Sequence, residues 1–256
     1  MKVFVLEAKS IVRYLFLSIA IVMLISLLSI TGMRALGVYN SGRQIPIYSV
    51  ECSGKKASIT FDCAWGSSDI PAILDTLKKE NVRATFFIVG QWAEKYPEML
   101  KLISAAGHDI ANHSYSHLRM GVLDRDKIRS EISRCGIALE KISGRRVELF
   151  RPPYGDYSNS VISVARELGY YTIQWNVDSL DWKPGIGSQE ILGRVMRKVK
   201  PGSIILFHND TANTAKILPL ILSSLKDNGY QLIPVSEIIM RENYIIDFEG
   251  RQKKRD

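Results

Sequence analysis

Residues 59–66 read Ile-Thr-Phe-Asp-Cys-Ala-Trp-Gly (ITFDCAWG), a strand-forming run that breaks off on the carboxylate of Asp62 and passes at once to the thiol of Cys63. β-Branched and aromatic side chains suit a pleated, half-buried surface. A strand that ends on an acid is how a parallel α/β fold brings a reactive group to its rim. Whether the neighbouring segments repeat this pattern decides the fold.

They do repeat it. Runs of similar character stand at 57–62, 84–89, 108–112, 148–151, 171–178, 203–208 and 231–235. Segments of helical period separate them. Ser68 can cap a helix with the apolar stripe Ile70, Ile73, Leu74 and Leu77; another runs from Pro97, suited to a first turn, to Gly107. A third starts at Asp124, carries Ile128, Ile132, Leu139 and Ile142, and stops at Gly144; 158–169, 188–200 and 213–229 repeat the scheme. Alternation of this kind predicts an α/β fold with a largely parallel sheet, a distorted (β/α) barrel of about seven units. A doubly wound open sheet is the alternative, because strand order is not written in the sequence.

The 256 residues, 46% of them hydrophobic, suffice for one sizeable core. Before that core lies an uncharged run at 14–33, long enough at about 1.5 Å per residue to cross roughly 30 Å of hydrocarbon. Lys2, Lys9 and Arg13 precede it, which predicts a cytoplasmic tail at 1–13, a single-pass membrane anchor at 14–33 and an extracytoplasmic remainder. A linker over 34–56 with one short strand at 45–50, a catalytic domain over 57–240 and a C-terminal tail over 241–256 complete the expected layout. The net charge is +8, but the basic residues are scattered without interleaved aromatics, which argues against nucleic acid and for an anionic cell envelope. Three cysteines, Cys52, Cys63 and Cys135, imply no disulfide framework.

The strands' C-terminal ends share one rim in a parallel β/α fold, so residues there meet in space. Five strands end in Asp62, Asn112-His113, Arg151, Asp178 and His208, and three of the four histidines, His113, His117 and His208, lie at or just past a strand end. His113 and His117 are four apart; on a helical turn both point the same way, as a divalent metal requires.

The segments ITFD at 59–62, HSYSH at 113–117, RPPYG at 151–155, DSLDW at 178–182 and ILFH at 205–208 resemble, in order, the five motifs of the NodB-type polysaccharide deacetylases, carbohydrate esterase family 4. The anchored layout and AWG after Asp62 are similar to the sporulation-associated, PdaB-like branch. The resemblance implies hydrolytic N-deacetylation of an envelope glycan, peptidoglycan or spore cortex, assisted by a divalent metal, with zinc the expected ion. It implies Asp62 as general base, Arg151 as the cation that keeps Asp62 charged, His113 and His117 as metal ligands, His208 as general acid and Asp181 as its orienting carboxylate. Tyr154 would offer a backbone N–H to the oxyanion, while Trp182 and Leu206 would wall the acetyl methyl.

Position 63 departs from that pattern, in which a second, metal-binding aspartate follows the base. Three readings stand: the Cys63 thiolate binds zinc, Asp69 swings in across Gly66-Ser67-Ser68, or the thiol is filler and metal is held weakly or not at all. A catalytically weak or inactive glycan-binding protein of the same fold is the alternative function.

Overall fold

The computed structural model describes Met23 and residues 42–255. The chain divides into two compact units, Met1–Gln44 and Ile45–Asp256, and the second carries the sheet. In chain order it contains β1 (Ser49–Val50), β2 (Lys56–Cys63), α1 (Ile70–Lys79), β3 (Thr85–Ile88), α2 (Gly90–Lys95), α3 (Pro97–Ala105), β4 (Asp109–Asn112) and α4 (Arg125–Ser143). Then follow β5 (Leu149–Phe150), α5 (Asn159–Glu167), β6 (Tyr171–Thr172), β7 (Val177–Asp178), α6 (Ser188–Lys198), β8 (Ser203–His208), α7 (Thr214–Asp227), β9 (Gln231–Leu232), α8 (Val235–Ile238), β10 (Tyr244–Ile246) and β11 (Arg251–Lys254).

The sheet runs β10-β11-β1-β8-β2-β3-β4-β5-β6, with β7 on β8 and β9 on the start of β2. Strands β2 to β6 follow one another in chain order and in parallel, without the reversal of a doubly wound sheet. The sheet curls so far that Ile47, just before β1, bridges Ile173, just after β6. Ile47 N donates to Thr172 O at 2.9 Å and Gln174 N to Ile47 O at 2.7 Å.

Period-two alternation sorts the side chains. Ile59, Phe61, Phe86, Ile88, Ile205 and Phe207 join the buried stripes of the helices, including Ile70, Ile73 and Leu77 of α1, in the larger core. Phe87, Ala111, Leu149, Ile173 and Ile204 form a second cluster on the inner face of the curl. Asp62, two residues on from Thr60, shares the inner face, whereas Cys63 falls with Ile59 and Phe61 in the larger core and is fully buried.

Several helix signals act as their chemistry demands. Asp124 accepts from Lys127 N at 2.8 Å at the start of α4, and Gly144, at φ 68°, ends it in the left-handed region that favours glycine. Other expectations need correction. Asp69, not Ser68, is the N-cap of α1, and its side chain does not cap, because its carboxylate is taken by Asp210 N at 2.8 Å. The run at 171–178 is two short strands broken at 173–176, and α2 was not expected. The short strand expected at 45–50 is present as β1, which pairs with β8 and β11, whereas the expected tail contributes β10 and β11, paired with each other.

The expected anchor is also corrected. Among the described residues no helix is long and apolar enough to cross a membrane, and of the stretch 14–33 all but Met23 lies outside those residues. A membrane partner and a single-pass placement with an extracytoplasmic domain lose their support with it.

The segment after β4 shows how the fold holds its rim. Residues 113–117 form an irregular turn rather than the expected helical one, with Ser114 at φ 64° and His117 at φ 58°. Fully buried Glu131 of α4 grips this turn, accepting from Tyr115 N at 3.1 Å, Ser116 N at 2.8 Å and Ser116 Oγ at 3.0 Å. Removing the carboxylate leaves three part-buried donors without their partner, so Glu131→Ala is expected to lower stability by about 3 kcal/mol in denaturant unfolding. A loss under about 1 kcal/mol would show that the turn stands without it.

Candidate functional site

Arg151 is fully buried, and its guanidinium lies 3.9 Å from the Phe87 ring centroid. Nη1 donates to Asp62 Oδ1 at 2.6 Å and to Thr60 Oγ1 at 3.0 Å, and Nη2 to Gln174 O at 3.0 Å. Burial alone would raise the Asp62 carboxyl, but Arg151 first, then His113 and His208, outweigh it and hold it below its ordinary 3.8. Asp62 is therefore a carboxylate at neutral pH, able to accept a proton from a water placed against its free oxygen.

The backbone of Arg151 sets the next group. Its carbonyl can only accept, so the 2.8 Å contact with His113 Nδ1 places the proton on Nδ1. His113 Nε2 then faces Asp62 Oδ2 at 3.4 Å as a second acceptor. Burial is the main reason that His113 titrates below 6.5. His117 lies with its ring centroid 5.1 Å from that of His113 and its Nδ1 3.1 Å from the Tyr154 hydroxyl. Burial, with His113 adding to it, pushes His117 down to about 3. Both imidazoles are neutral lone-pair donors. The left-handed kinks at Ser114 and His117, and not helical spacing, bring them together.

The opposite wall is a second pair. β2 and β8 run side by side with Asp62 in register with His208. His208 Nδ1 lies 2.9 Å from Asp181 Oδ1, while Asp181 Oδ2 accepts from His208 N at 2.7 Å and from Thr214 Oγ1. Burial opposes a charge on His208, but Asp181 by hydrogen bond and charge, helped by Asp62 and Asp178, holds the imidazole above 6.5. Asp178 also acts on the backbone beside it. Its Oδ1 accepts from Leu180 N at 2.8 Å, shaping the turn, with Leu180 at φ 59°, that aims Asp181.

These groups converge on one cleft of about 390 Å³ that Asp62, His113, His117 and His208 line together. Tyr154, Trp182 and Leu206 line it too. Tyr154, at φ 60°, is half exposed and presents its hydroxyl to His117. Sequence reasoning missed Trp175, which lines the cleft from the break between β6 and β7, and Trp65, whose indole stands edge to face 5.6 Å from His117. A tryptophan closely following a strand-end acid was the available signal for Trp65; Trp175 sat inside a run that looked like continuous strand.

The metal expectation meets a different outcome at Cys63. Its side chain leaves β2 on the face opposite Asp62, inside the larger apolar core. Burial above all, then Asp62 and Asp69, raise its thiol well above 9, so it is not a thiolate. Asp69 does not take its place: Oδ2 accepts from Asp210 N, and the carboxylate forms no metal-holding group with the imidazoles. Among the described residues no group of three or more His, Cys, Asp and Glu could hold a metal ion. Two imidazoles remain without a third protein donor, and this donor set does not fit a tightly held zinc.

Residues 49–173 match the polysaccharide deacetylase family model. The chain is 35% identical over 182 residues to a peptidoglycan-N-acetylglucosamine deacetylase of Bacillus cereus, covering 70% of this chain and 66% of that one. It is 31% identical to the peptidoglycan-N-acetylmuramic acid deacetylase PdaA of Bacillus subtilis, with 73% of each covered. Among solved structures, a wild-type CE4 family pseudoenzyme from Bacillus anthracis is 34% identical with a TM-score of 0.74, covering 82% of this chain and 70% of that one. A mutant of that pseudoenzyme with restored enzymatic activity is 37% identical with a TM-score of 0.73, over 75% and 70%. With five motifs on one rim and relatives matched over most of their length, the chain belongs to the NodB-type polysaccharide deacetylases, carbohydrate esterase family 4.

Proposed function

We propose that this chain binds an N-acetylated envelope glycan, peptidoglycan being the nearest candidate, and hydrolyses its N-acetyl groups weakly or not at all. The observation that carries this reading is the side chain at 63. Where a third ligand would be needed, a protonated thiol is folded into the apolar core. The names of the relatives support the glycan, and the pseudoenzyme among them supports the loss of turnover.

An active deacetylase is the second reading, favoured by the two proton-handling pairs. In it Asp62, kept charged by Arg151, takes the proton of an attacking water, and His208, whose protonated form Asp181 favours, returns one to the leaving amine. Tyr154 would offer its backbone N–H to the oxyanion, and Trp182 and Leu206 would receive the methyl. A metal, when bound in this family, supplies Lewis acidity and a more acidic water. No step runs through it in this chain, because the donor set does not fit. The sporulation branch remains part of the proposal at the level of substrate, a spore cortex glycan being the variant of peptidoglycan concerned.

Acetate release from N-acetylated glycan oligomers, with zinc, with cobalt and without metal, tests the two readings. Retained binding without release supports the proposal, and release comparable with an active family member overturns it. Cys63→Asp sharpens the outcome. A carboxylate is disfavoured in that apolar core beside Asp62 and Asp69, so the variant is expected to melt below wild type without metal, and recovery with zinc requires its side chain to leave the core for the imidazoles. Identical melting with and without zinc would show that residue 63 cannot reach the imidazoles.

The His208–Asp181 pair gives a pH test. Because the folded pKa lies above 6.5, its stabilisation is fully present below 6.5 and is lost as pH rises through the folded value. Asp181→Asn removes the charge and should bring the His208 titration, followed by NMR, down toward or below 6.5. An unshifted titration would remove Asp181 from its orienting role.

A further inference from the structure

Trp65 is 65% exposed, yet the backbone beneath it is held from two directions. Gly66 N donates to Asp210 Oδ2 at 2.9 Å, while Gly66 O accepts from Trp92 Nε1 at 2.8 Å and from the Asn209 amide. Asp210 is itself fixed through its N–H to Asp69 Oδ2. A Cβ at position 66 would lie 2.5 Å from Asp210 Oδ1, so a larger residue there would displace the Asp210 carboxylate that holds this backbone. A large apolar side chain in water gains free energy when a ligand covers it. Holding its backbone in advance lowers the ordering cost of that event.

Three depressions share this indole. The first is the cleft between Asp62 and His208. A second, of about 470 Å³, extends past Gln91, Lys95 and Tyr96; a third, of about 420 Å³, extends past Lys183, Asn209 and Asn213. Ala64 is common to the first and second, and Trp182 and His208 to the first and third, so the three are continuous. Apolar floors with a few polar groups at their edges are the usual makeup of ligand sites. A pyranose ring matches that makeup, because one face carries C–H groups that lie flat on an aromatic ring while the equatorial hydroxyls point outward to amides and ammonium groups.

We propose that Trp65 is the central stacking platform of a groove that takes an extended N-acetylated glycan segment, with one sugar ring on the indole and its neighbours in the flanking depressions. This rests on the glycan-binding reading above and adds to it a binding residue and a preference for chain length.

Calorimetric titration of the full chain with N-acetylglucosamine oligomers of increasing length, from the monosaccharide to the hexamer, tests it. Wild-type affinity is expected to climb with length. Trp65→Ala should lose roughly tenfold on the longer oligomers and little on the monosaccharide, with Trp65→Phe retaining most of the affinity. Residue 65 is on the surface, so the melting temperature of each variant should stay at the wild-type value. Tight binding of the hexamer by both wild type and Trp65→Ala would overturn the platform and leave the glycan reading standing. Equal wild-type affinity at every length would overturn the groove. No binding by wild type at any length would overturn the glycan reading and this inference together.

Discussion

The site depends on one buried ion pair. Arg151 sits without solvent exposure inside the curl of the sheet, and its side chain joins Thr60 and Asp62 of β2 to the backbone after β6, while its own carbonyl orients His113 after β4. Neighbouring segments of the rim are thereby referred to a single guanidinium. A buried charge is tolerable only when it is matched, and breaking such a pair by removing one partner costs about 3–5 kcal/mol. The guanidinium face on Phe87 contributes dispersion as well as charge. The same residue that keeps Asp62 ionised also sets which nitrogen of His113 carries the proton, so charge state and tautomer are linked through Arg151.

The second constraint is the alternation of β2. Along a strand, successive side chains point to opposite faces. Asp62 therefore enters the cleft while Cys63 joins Phe61 and Trp92 under the helices. A thiol is well suited to that place, since it behaves there as a small hydrophobe. The outcome is a cleft with its proton-handling pairs in position and its imidazoles neutral, but with two metal donors where a structural or catalytic zinc takes three or four from protein.

Rigidity at the rim comes from carboxylates that serve the backbone. Glu131 grips the turn 113–117, Asp181 the start of the loop after β8, Asp210 the Trp65–Gly66 segment, and Asp69 the backbone of Asp210. His117, Tyr154, Leu180 and Asp210 all adopt positive φ, a conformation that costs energy in a side-chain-bearing residue and persists only where surroundings over-determine it. Such positions cluster here around the cleft, and near His117, Leu180 and Asp210 carboxylate contacts supply the over-determination.

Much of this was legible in the residues. Strand-forming runs ending on polar groups placed Asp62, His113, Arg151, Asp178 and His208 on one rim, because that inference needs only parallel strands and local alternation. Asp124 and Gly144 bounded α4 because caps are local chemistry. Other features were not local. The turn 113–117 lost its expected helical form to Glu131, which belongs to the following helix and meets the turn only in the fold. The closure of the sheet by Ile47 and the seating of β11 on β1 join distant parts of the unit, which no window of sequence contains. The sequence by itself determined the fold class and the family, since periodicity and ordered motifs are properties of the chain. Only the tertiary structure decided that Cys63 faces the core and Trp65 the cleft, because the packed face of β2 and the path of the loop after it are set by neighbours distant in sequence.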